Sequence, residues 1–206
     1  MDYQIWKRNP NLISGQEYVT NQLVAREAST KGFDAIIDEY VYINSENVNN
    51  TFNIIPKSSE LIHGIGIDLG GGVGCISSTL AKRDSVDKIY CVELVEDAVK
   101  LCHNIVKQEI LKNEKHKVVS VIGDYDNLEL EDNSIDFAVS WDSMHHSTDP
   151  VKTFKECKRV LKKNCVFIIV DRAHNNSTPD SEIERMLNIT YDEEFLTKYY
   201  RPKDTI

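Results

Sequence analysis

The sequence lacks any hydrophobic run long enough to cross a membrane. Its longest apolar stretch near a strand pattern, Cys165 to Val170, is far shorter than the ~18 residues that suggest a membrane span. The opening residues mix Asp2, Lys7 and Arg8 with single apolar residues, so they lack the apolar segment of a secretory signal. We therefore expect a cytoplasmic protein with no membrane partner.

The sequence also lacks an excess of positive charge. It has 24 Lys and Arg against 33 Asp and Glu, a formal net charge of -9. Such a balance opposes non-specific binding to phosphate backbones, so we expect no nucleic-acid partner. With 41% hydrophobic and 28% charged residues, the composition is that of a globular chain and not of a disordered one.

Cysteine is present in an odd number and without a C-x-x-C spacing. This pattern does not fit a disulfide framework or a metal site, and it predicts reduced core residues. We expect no metal ligands among the cysteines, which are Cys75, Cys91, Cys102, Cys157 and Cys165.

From residue 62 onward, short apolar runs of strand type alternate with segments of helical period. The alternation predicts a mostly parallel α/β sheet of the doubly wound, Rossmann-like kind. The predicted strands are Gly64 to Leu69, Lys88 to Val92, Val118 to Ile122, Ile135 to Ser140 and Val166 to Val170. The predicted helices between them are Gly74 to Arg83, Val95 to Leu111 and Val151 to Leu161.

Two domains are predicted, an N-terminal helical cap over 1–61 and the α/β domain over 62–206. In the cap the pattern predicts helices over Gln16 to Ser29 and Phe33 to Tyr42, and the Asn-rich stretch Asn44 to Asn53 has the composition of a loop. Trp6, Tyr40 and Tyr42 are candidates for an acceptor pocket or for ordinary core positions.

The C-terminal part shows no further strand. The 35 residues after Asp171 are mostly polar, with helical patterns over Ser181 to Asn188 and Asp192 to Tyr199. An apolar strand left at a sheet edge invites aggregation. We therefore expect that the natural chain continues past Ile206 or that strands come from elsewhere; a homodimer is one open possibility.

A glycine-rich turn follows the first predicted strand, in the pattern D-x-G-x-G-x-G from Asp68 to Gly74. Such a turn between strand and helix is where α/β sheets bind nucleotide-like ligands. The dinucleotide fingerprint fits poorly because Cys75 or Ser77 takes the place of its third glycine, and the lysine of a triphosphate loop is absent. The carboxylate of Asp68 favours a positively charged ligand.

Two more acids fall at the same predicted sheet edge. Glu93 ends the second strand, 23 residues after Gly70, an offset that suits hydrogen bonding to ribose hydroxyls. Asp124 follows the third strand. Taken singly, the glycines could form only a tight turn, Glu93 could cap a helix and Asp124 could belong to a turn. Together they favour a bound cofactor.

In order along the chain, the segments I-G-I-D-L-G-G-G-V-G, I-Y-C-V-E-L, V-I-G-D-Y and S-I-D-F-A-V-S-W-D-S-M-H-H-S-T-D-P resemble class I S-adenosylmethionine-dependent methyltransferases. The last segment resembles the group with an H-H-x-x-D-P stretch after strand four. The resemblance covers about Ile62 to Arg172. Gly71 stands where Cys, Ser or Thr is more usual, and the last two of the usual seven strands are not apparent.

The resemblance implies roles for residues at the sheet edge. Those placed at the methionine part of the cofactor are Gly70, Gly71, Gly72, Ser140 and Trp141. Several methyltransferases use a leading helix as a lid, in which case Tyr18 of the cap could touch the methionine carboxylate; the alternative is an amphipathic helix packed only for stability. Glu93, with Leu94 beside it, would bind the ribose. Asp124 would hold the adenine amino group next to the backbone of Tyr125.

A histidine pair follows the fourth predicted strand. His145 or His146 could act as a general base oriented by Asp142, although methyl transfer from a sulfonium can proceed by alignment alone, and packing or substrate contact are alternatives. Metal binding by the pair is not expected, because adjacent histidines outside a helix point apart. Asp149 and Pro150 predict the start of the next helix.

The function expected from these features is S-adenosylmethionine-dependent methyl transfer to an O or N of a small molecule by in-line displacement. Two alternatives stay open at this point. One is a non-catalytic cofactor-binding or scaffold protein that works with a partner chain, and the other is an NAD-dependent oxidoreductase on a similar sheet.

Overall fold

The computed structural model describes residues 3–39, 44–173 and 175–188. Their centre is a sheet of six parallel strands in the order β1-β4-β3-β2-β5-β6. The strands are β1 (Tyr3–Ile5), β2 (Gly64–Leu69), β3 (Val86–Glu93), β4 (Val118–Ile122), β5 (Ile135–Trp141) and β6 (Leu161–Val170). The predicted α/β class is confirmed, and the five predicted strands are β2 to β6.

The helices are α1 (Gln16–Lys31), α2 (Phe33–Glu39), α3 (Ser45–Asn53), α4 (Ser58–Leu61), α5 (Cys75–Ala81), α6 (His103–Leu111), α7 (Pro150–Val160) and α8 (Asp180–Leu187). The predicted helix over Val95 to Leu111 is divided into a π-helical turn, Ala98–Cys102, and α6. A 3₁₀ turn, Lys112–Lys117, leads into β4. None of the helices among the described residues has the length and apolar character needed to span a membrane.

The two faces of the sheet carry separate apolar clusters. On one face Ile76 and Leu80 of α5 pack with Phe137 of β5, and on the other Val160 of α7 packs with Ile67 of β2. Because both faces are covered, the central strands are apolar in nearly every position. All strands run the same way, so the carboxyl ends of β2, β3, β4 and β5 meet at one edge.

A short N-terminal strand was missed by the sequence prediction, which placed no strand before residue 62. Tyr3–Ile5 pairs with β4, with Ile5 opposite Ile122, and extends the sheet at that edge. Trp6 follows it and is 5% exposed, 6.0 Å from the ring of Tyr90. Trp6 is therefore a core residue. The strand has only three residues, too few for an alternating pattern to be visible.

The prediction of a loop over Asn44 to Asn53 was wrong, because Ser45–Asn53 forms α3. The side chain of Asn44 caps this helix by accepting a hydrogen bond from the backbone N–H of Asn47 at 2.9 Å. Val48 and Phe52, four positions apart, are buried, so tertiary packing outweighs the low helix propensity of asparagine.

The N-terminal helices share the core of the α/β part. Ala25 of α1 and Ile36 of α2 are fully buried and pack with Val73 and Cys102. Phe52 of α3 lies in the cluster beside α5, with its ring 5.9 Å from that of Trp141. The division into a cap over 1–61 and a domain over 62–206 stays a prediction, since contacts of this kind fit either one unit or two.

At the opposite edge, β6 pairs only with β5 among the described residues. The helix predicted over Ser181 to Asn188 corresponds to α8, and no strand follows β6 within the described part of the chain. The helix predicted over Asp192 to Tyr199, and Tyr40 and Tyr42, lie outside the described residues.

All five cysteines are free thiols, four of them buried and Cys165 partly so. The expectation of reduced core cysteines is confirmed for these side chains, because each lies in the packing of a helix or strand and none pairs with another.

Replacing Phe52 by Ala tests whether the N-terminal helices contribute to the common core. The side chain is 1% exposed, so its removal should lower the free energy of unfolding by about 3–5 kcal/mol. Ile54→Ala, at a residue 80% exposed beside the same helix, is the matched control and should change it by no more than about 0.5 kcal/mol. Urea unfolding measures both; equal effects would contradict the shared core.

Candidate functional site

The glycine-rich loop is tied to the neighbouring strand by its backbone. The N–H groups of Gly70 and Gly71 both donate to the carbonyl of Val92, each at 2.9 Å. The loop therefore has a fixed position at the carboxyl end of β2, directly beside the end of β3.

The three glycines of the loop are required for different reasons. A Cβ at Gly70 would overlap the Oγ of Ser143, and one at Gly71 would overlap the Sγ of Cys91. Gly72 has a positive φ of 53°, and an added Cβ would meet nothing within 4 Å. Gly70 and Gly71 thus permit internal packing, whereas Gly72 faces open space where a ligand can approach the backbone.

Glu93 is held in place by the same loop. Its carboxylate accepts hydrogen bonds from the N–H of Gly72 and the N–H of Val95, each at 2.8 Å, and the residue is 9% exposed. Burial raises the pKa of Glu93 above its ordinary value, and these hydrogen bonds partly offset the rise. A buried carboxylate thus lies between the loop and the start of the following helical segment.

Asp68 lies beneath the loop and not on its open side. It is fully buried, Ser77 donates to Oδ2 at 2.7 Å, and Oδ1 has no hydrogen-bond partner. Burial raises the pKa of Asp68 to about 7. This carboxyl group thus supports the loop from below and is close to half neutral at pH 7, so the positively charged ligand expected beside Asp68 meets a weaker charge than the sequence predicted.

His103 is a site residue that the sequence prediction missed. It is 1% exposed at the start of α6, and its Nε2 lies 2.9 Å from the carbonyl oxygen of Gly72. Burial lowers its pKa to about 4, so the ring is neutral and Nε2–H donates to the loop. The available signal was a histidine on the buried stripe of a predicted helix.

Asp124 is also buried, at the end of β4. Its Oδ1 accepts from the N–H of Asp126 at 2.9 Å, and its Oδ2 accepts from the N–H of Asn9 at 3.3 Å. Tyr125 follows it, and burial raises the pKa of its hydroxyl well above the ordinary value. The segment between β1 and α1 therefore passes directly over the carboxylate predicted to hold the adenine.

Arg8 in that segment links three parts of the site. Its guanidinium lies 3.4 Å from the hydroxyl of Tyr18, from the carbonyl of Leu94 and from the carboxylate of Glu96. Tyr18 is thus near Leu94, and its predicted contact with the methionine carboxylate stays a prediction.

The end of β5 contributes Ser140 and Trp141. Ser140 is buried and its Oγ has no hydrogen-bond partner, while Trp141 packs against Phe52. Asp142, the next residue, has a positive φ of 49°. Both of its carboxylate oxygens accept hydrogen bonds from Arg172, at 2.7 and 2.8 Å.

The two histidines have separate acidic partners. The Nδ1 of His146 lies 2.9 Å from Glu17 of α1, and the Nδ1 of His145 lies 2.7 Å from Asp171 after β6. The ring centroids are 4.0 Å apart, so the expectation that the rings point apart was wrong. The hydrogen bond to Glu17 raises the pKa of His146, which favours its charged form.

Asp171 was not among the predicted site residues. The sequence prediction gave the role of orienting the histidine to Asp142, whose carboxylate is 3.8 Å from the Nδ1 of His145 and is bonded to Arg172 instead. The ligand atoms of Asp142, His145 and Asp171 lie within 4.8 Å of one another, a spacing that could suit one cation. Because Arg172 already neutralises Asp142, we assign no metal ligands here.

The site has features that fit S-adenosylmethionine. Open space lies above Gly72, and the Oγ of Ser140 is buried without a hydrogen-bond partner at the same sheet edge. Glu93 and Asp124 supply buried carboxylate oxygens, which can accept from hydroxyl and amino groups. This donor and acceptor set suits an adenosine bearing a positive charge.

Comparisons with known proteins identify the family of this chain. Residues 67–169 match the family described as methyltransferase domain, and the chain belongs to that family. Solved structures similar to this chain include S-adenosylmethionine-dependent methyltransferases, so the resemblance to class I methyltransferases seen in the sequence is confirmed. The detail of an H-H-x-x-D-P group is not confirmed.

The chain spans about half or less of the length of three similar proteins. The human protein "Arginine-hydroxylase NDUFAF5, mitochondrial" is 28% identical over 70% of this chain and 36% of its own length. Sarcosine/dimethylglycine N-methyltransferase of Aphanothece halophytica is 27% identical over 59% of this chain and 42% of its own length. The crystal structure of a candidate sarcosine dimethylglycine methyltransferase from Galdieria sulphuraria gives a TM-score of 0.56 at 27% identity, over 70% of this chain and 52% of that one.

Asp68→Asn should remove a pH-dependent cost to stability. Because the pKa of Asp68 is raised from 3.8 to about 7, its protonated form stabilises the folded state at low pH, and this contribution is lost as the pH rises towards 7. The free energy of unfolding of the variant should therefore fall less than that of the wild type between about pH 4 and 7.

Urea unfolding at several pH values measures this difference. Asp87→Asn, at an exposed position on β3, is the control and should follow the wild-type curve. A curve for Asp68→Asn that runs parallel to the wild type would show that the Asp68 carboxyl group is not neutralised by burial.

Proposed function

We propose that this protein binds S-adenosylmethionine and transfers its methyl group to an oxygen or nitrogen of a small molecule. The observation that supports this most strongly is the pair of buried carboxylates, Glu93 and Asp124, at the carboxyl ends of the neighbouring strands β3 and β4, with Glu93 bonded to the open loop position Gly72. Membership of the methyltransferase family favours methyl transfer over the hydride transfer of an NAD-dependent enzyme.

In the proposed site, Glu93 accepts hydrogen bonds from the ribose and Asp124 from the adenine amino group. Gly72 lets the methionine part lie against the backbone, with Ser140 near it. The bound cofactor supplies an electrophilic methyl group on a sulfonium, and its departure leaves a neutral thioether. The protein's contribution is to align the acceptor and to exclude water.

The small-molecule acceptor is proposed on two grounds. The net charge of -9 opposes binding to nucleic acids. The relatives from Aphanothece halophytica and Galdieria sulphuraria are named for sarcosine and dimethylglycine, which are small amines. Because the chain spans about half of the Galdieria protein and less of the two curated relatives, the full activity of those proteins is carried over only as a proposal.

Removing either carboxylate should weaken cofactor binding. Glu93→Gln and Asp124→Asn should each raise the dissociation constant for S-adenosylmethionine about 10- to 100-fold, since each loses hydrogen bonds made by a charged group. Isothermal titration calorimetry measures the change. Glu109→Gln, at an exposed position of α6, is the matched control and should bind like the wild type.

Calorimetry with NAD in parallel, followed by an assay with methyl-labelled S-adenosylmethionine, tests the reaction. Sarcosine, dimethylglycine and simple phenols are the first acceptors to test. A product heavier by one methylene group supports the proposal. Tighter binding of NAD than of S-adenosylmethionine would overturn it, and cofactor binding without turnover on any acceptor would favour a non-catalytic binding protein. A product heavier by one oxygen atom would instead match the reaction for which the human relative is named.

A further inference from the structure

The loop after β5 brings His145 against the end of β6. The Nδ1 of His145 lies 2.7 Å from Oδ1 of Asp171, and the backbone N–H of His145 donates to Oδ2 of the same carboxylate at 3.2 Å. Asp171 therefore contacts both the ring and the backbone of the histidine, which fixes the ring orientation as well as its position.

Asp171 is itself held firmly. Its Oδ1 accepts a further hydrogen bond from the N–H of Arg172 at 2.8 Å, and its side chain is only 16% exposed. Burial by itself raises the pKa of this carboxyl group, but the hydrogen bonds from His145 and Arg172 outweigh it and hold the pKa below its ordinary value. The group is therefore an anion at neutral pH and accepts the Nδ1–H of the ring.

When Nδ1 of a neutral imidazole is a donor, Nε2 is the nitrogen that can accept a proton. The His145 side chain is 27% exposed, so a small molecule can reach it. Two residues earlier, Ser143 lies against Gly70 of the loop. Nε2 is thus carried by a segment that contacts the proposed cofactor site.

The other charged groups around His145 are already paired with partners of their own. Asp142 accepts two hydrogen bonds from Arg172, and His146, whose ring is 4.0 Å away, pairs with Glu17. The pairing with Glu17 favours the protonated form of His146, which cannot take up a further proton. Of the two histidines, His145 is the better suited to act as a base.

We propose that His145 is the general base of the reaction and that Asp171 is the positioning residue that holds it in the Nδ1–H form. The inference rests on the proposed methyl transfer and narrows its acceptor to groups that carry a proton at neutral pH, namely a hydroxyl or an ammonium. In this step the acceptor O–H or N–H bond breaks, its electron pair stays on the acceptor atom, and the proton bonds to Nε2 of His145.

A spectroscopic experiment tests the role of Asp171 without turnover. In ¹⁵N-labelled protein the neutral ring of His145 should show a protonated Nδ1 and an unprotonated Nε2. In Asp171→Ala the Nε2–H form should gain population, because the acceptor for Nδ1–H is lost. A tautomer equilibrium that is the same in both proteins would overturn the positioning role. Asp87→Asn is the control and should leave the spectrum of His145 unchanged.

Steady-state kinetics test whether His145 acts as the general base. With sarcosine or a phenol as acceptor, Asp171→Asn and His145→Gln should each lower kcat about 100-fold or more, the range of general-base catalysis. The dissociation constant for S-adenosylmethionine should stay within about twofold of the wild type, because neither residue is proposed to bind the cofactor. Unchanged kcat in either variant would overturn the proposal. Unaltered binding also shows that the variants are folded.

Two further outcomes distinguish a general base from a metal site, and a failure of this proposal from a failure of the proposed function. If Mn²⁺ broadens the resonances of His145 at micromolar concentration and a chelator abolishes activity, the three side chains Asp142, His145 and Asp171 hold a cation and the base proposal is wrong. If the wild type binds no S-adenosylmethionine, the proposed function fails, while the tautomer measurement still decides whether Asp171 orients His145.

Discussion

The hydrogen bond between the Glu93 carboxylate and the N–H of Gly72 is the interaction on which the site depends. It joins the end of β3 to the loop after β2, and the second oxygen of Glu93 fixes Val95 at the start of the next helical segment. Burying a carboxylate is costly unless it is hydrogen-bonded. The N–H groups of Gly72 and Val95 meet that requirement, so the loop conformation and the buried charge stabilise each other.

A second layer of buried polar groups supports the loop from beneath. Asp68, bonded to Ser77, and His103, bonded to the Gly72 carbonyl, are both neutral or partly neutral near pH 7 because burial shifts their pKa values in opposite directions. Cys91 occupies the space that a side chain at residue 71 would need. Gly71, which departs from the more usual Cys, Ser or Thr, is therefore explained by the size of its neighbour on β3.

The five strands of the α/β part and the loop were predictable, because each strand contains a short apolar run and the glycines and acids fall near strand ends. Three features were not. β1 is too short to show a pattern, α3 was hidden by its asparagines although Val48 and Phe52 lie at helical spacing, and Asp171 is 26 residues from the histidine that it contacts. The last could have been found from the rule that adjacent parallel strands end at the same edge, since Asp171 directly follows β6.

The acidic side chains at the sheet edge have different partners near the histidines and near the glycine-rich loop. Near the histidines each carboxylate faces a basic group: Glu17 faces His146, Asp171 faces His145 and Asp142 faces Arg172. Near the glycine-rich loop Glu93 and Asp124 accept only from backbone N–H groups, so no cation cancels their charge at hydrogen-bond distance among the described contacts. Negative charge is thus concentrated at the loop, where the proposed sulfonium cofactor is favoured, and is balanced near the histidines, where the proposed base takes up a proton.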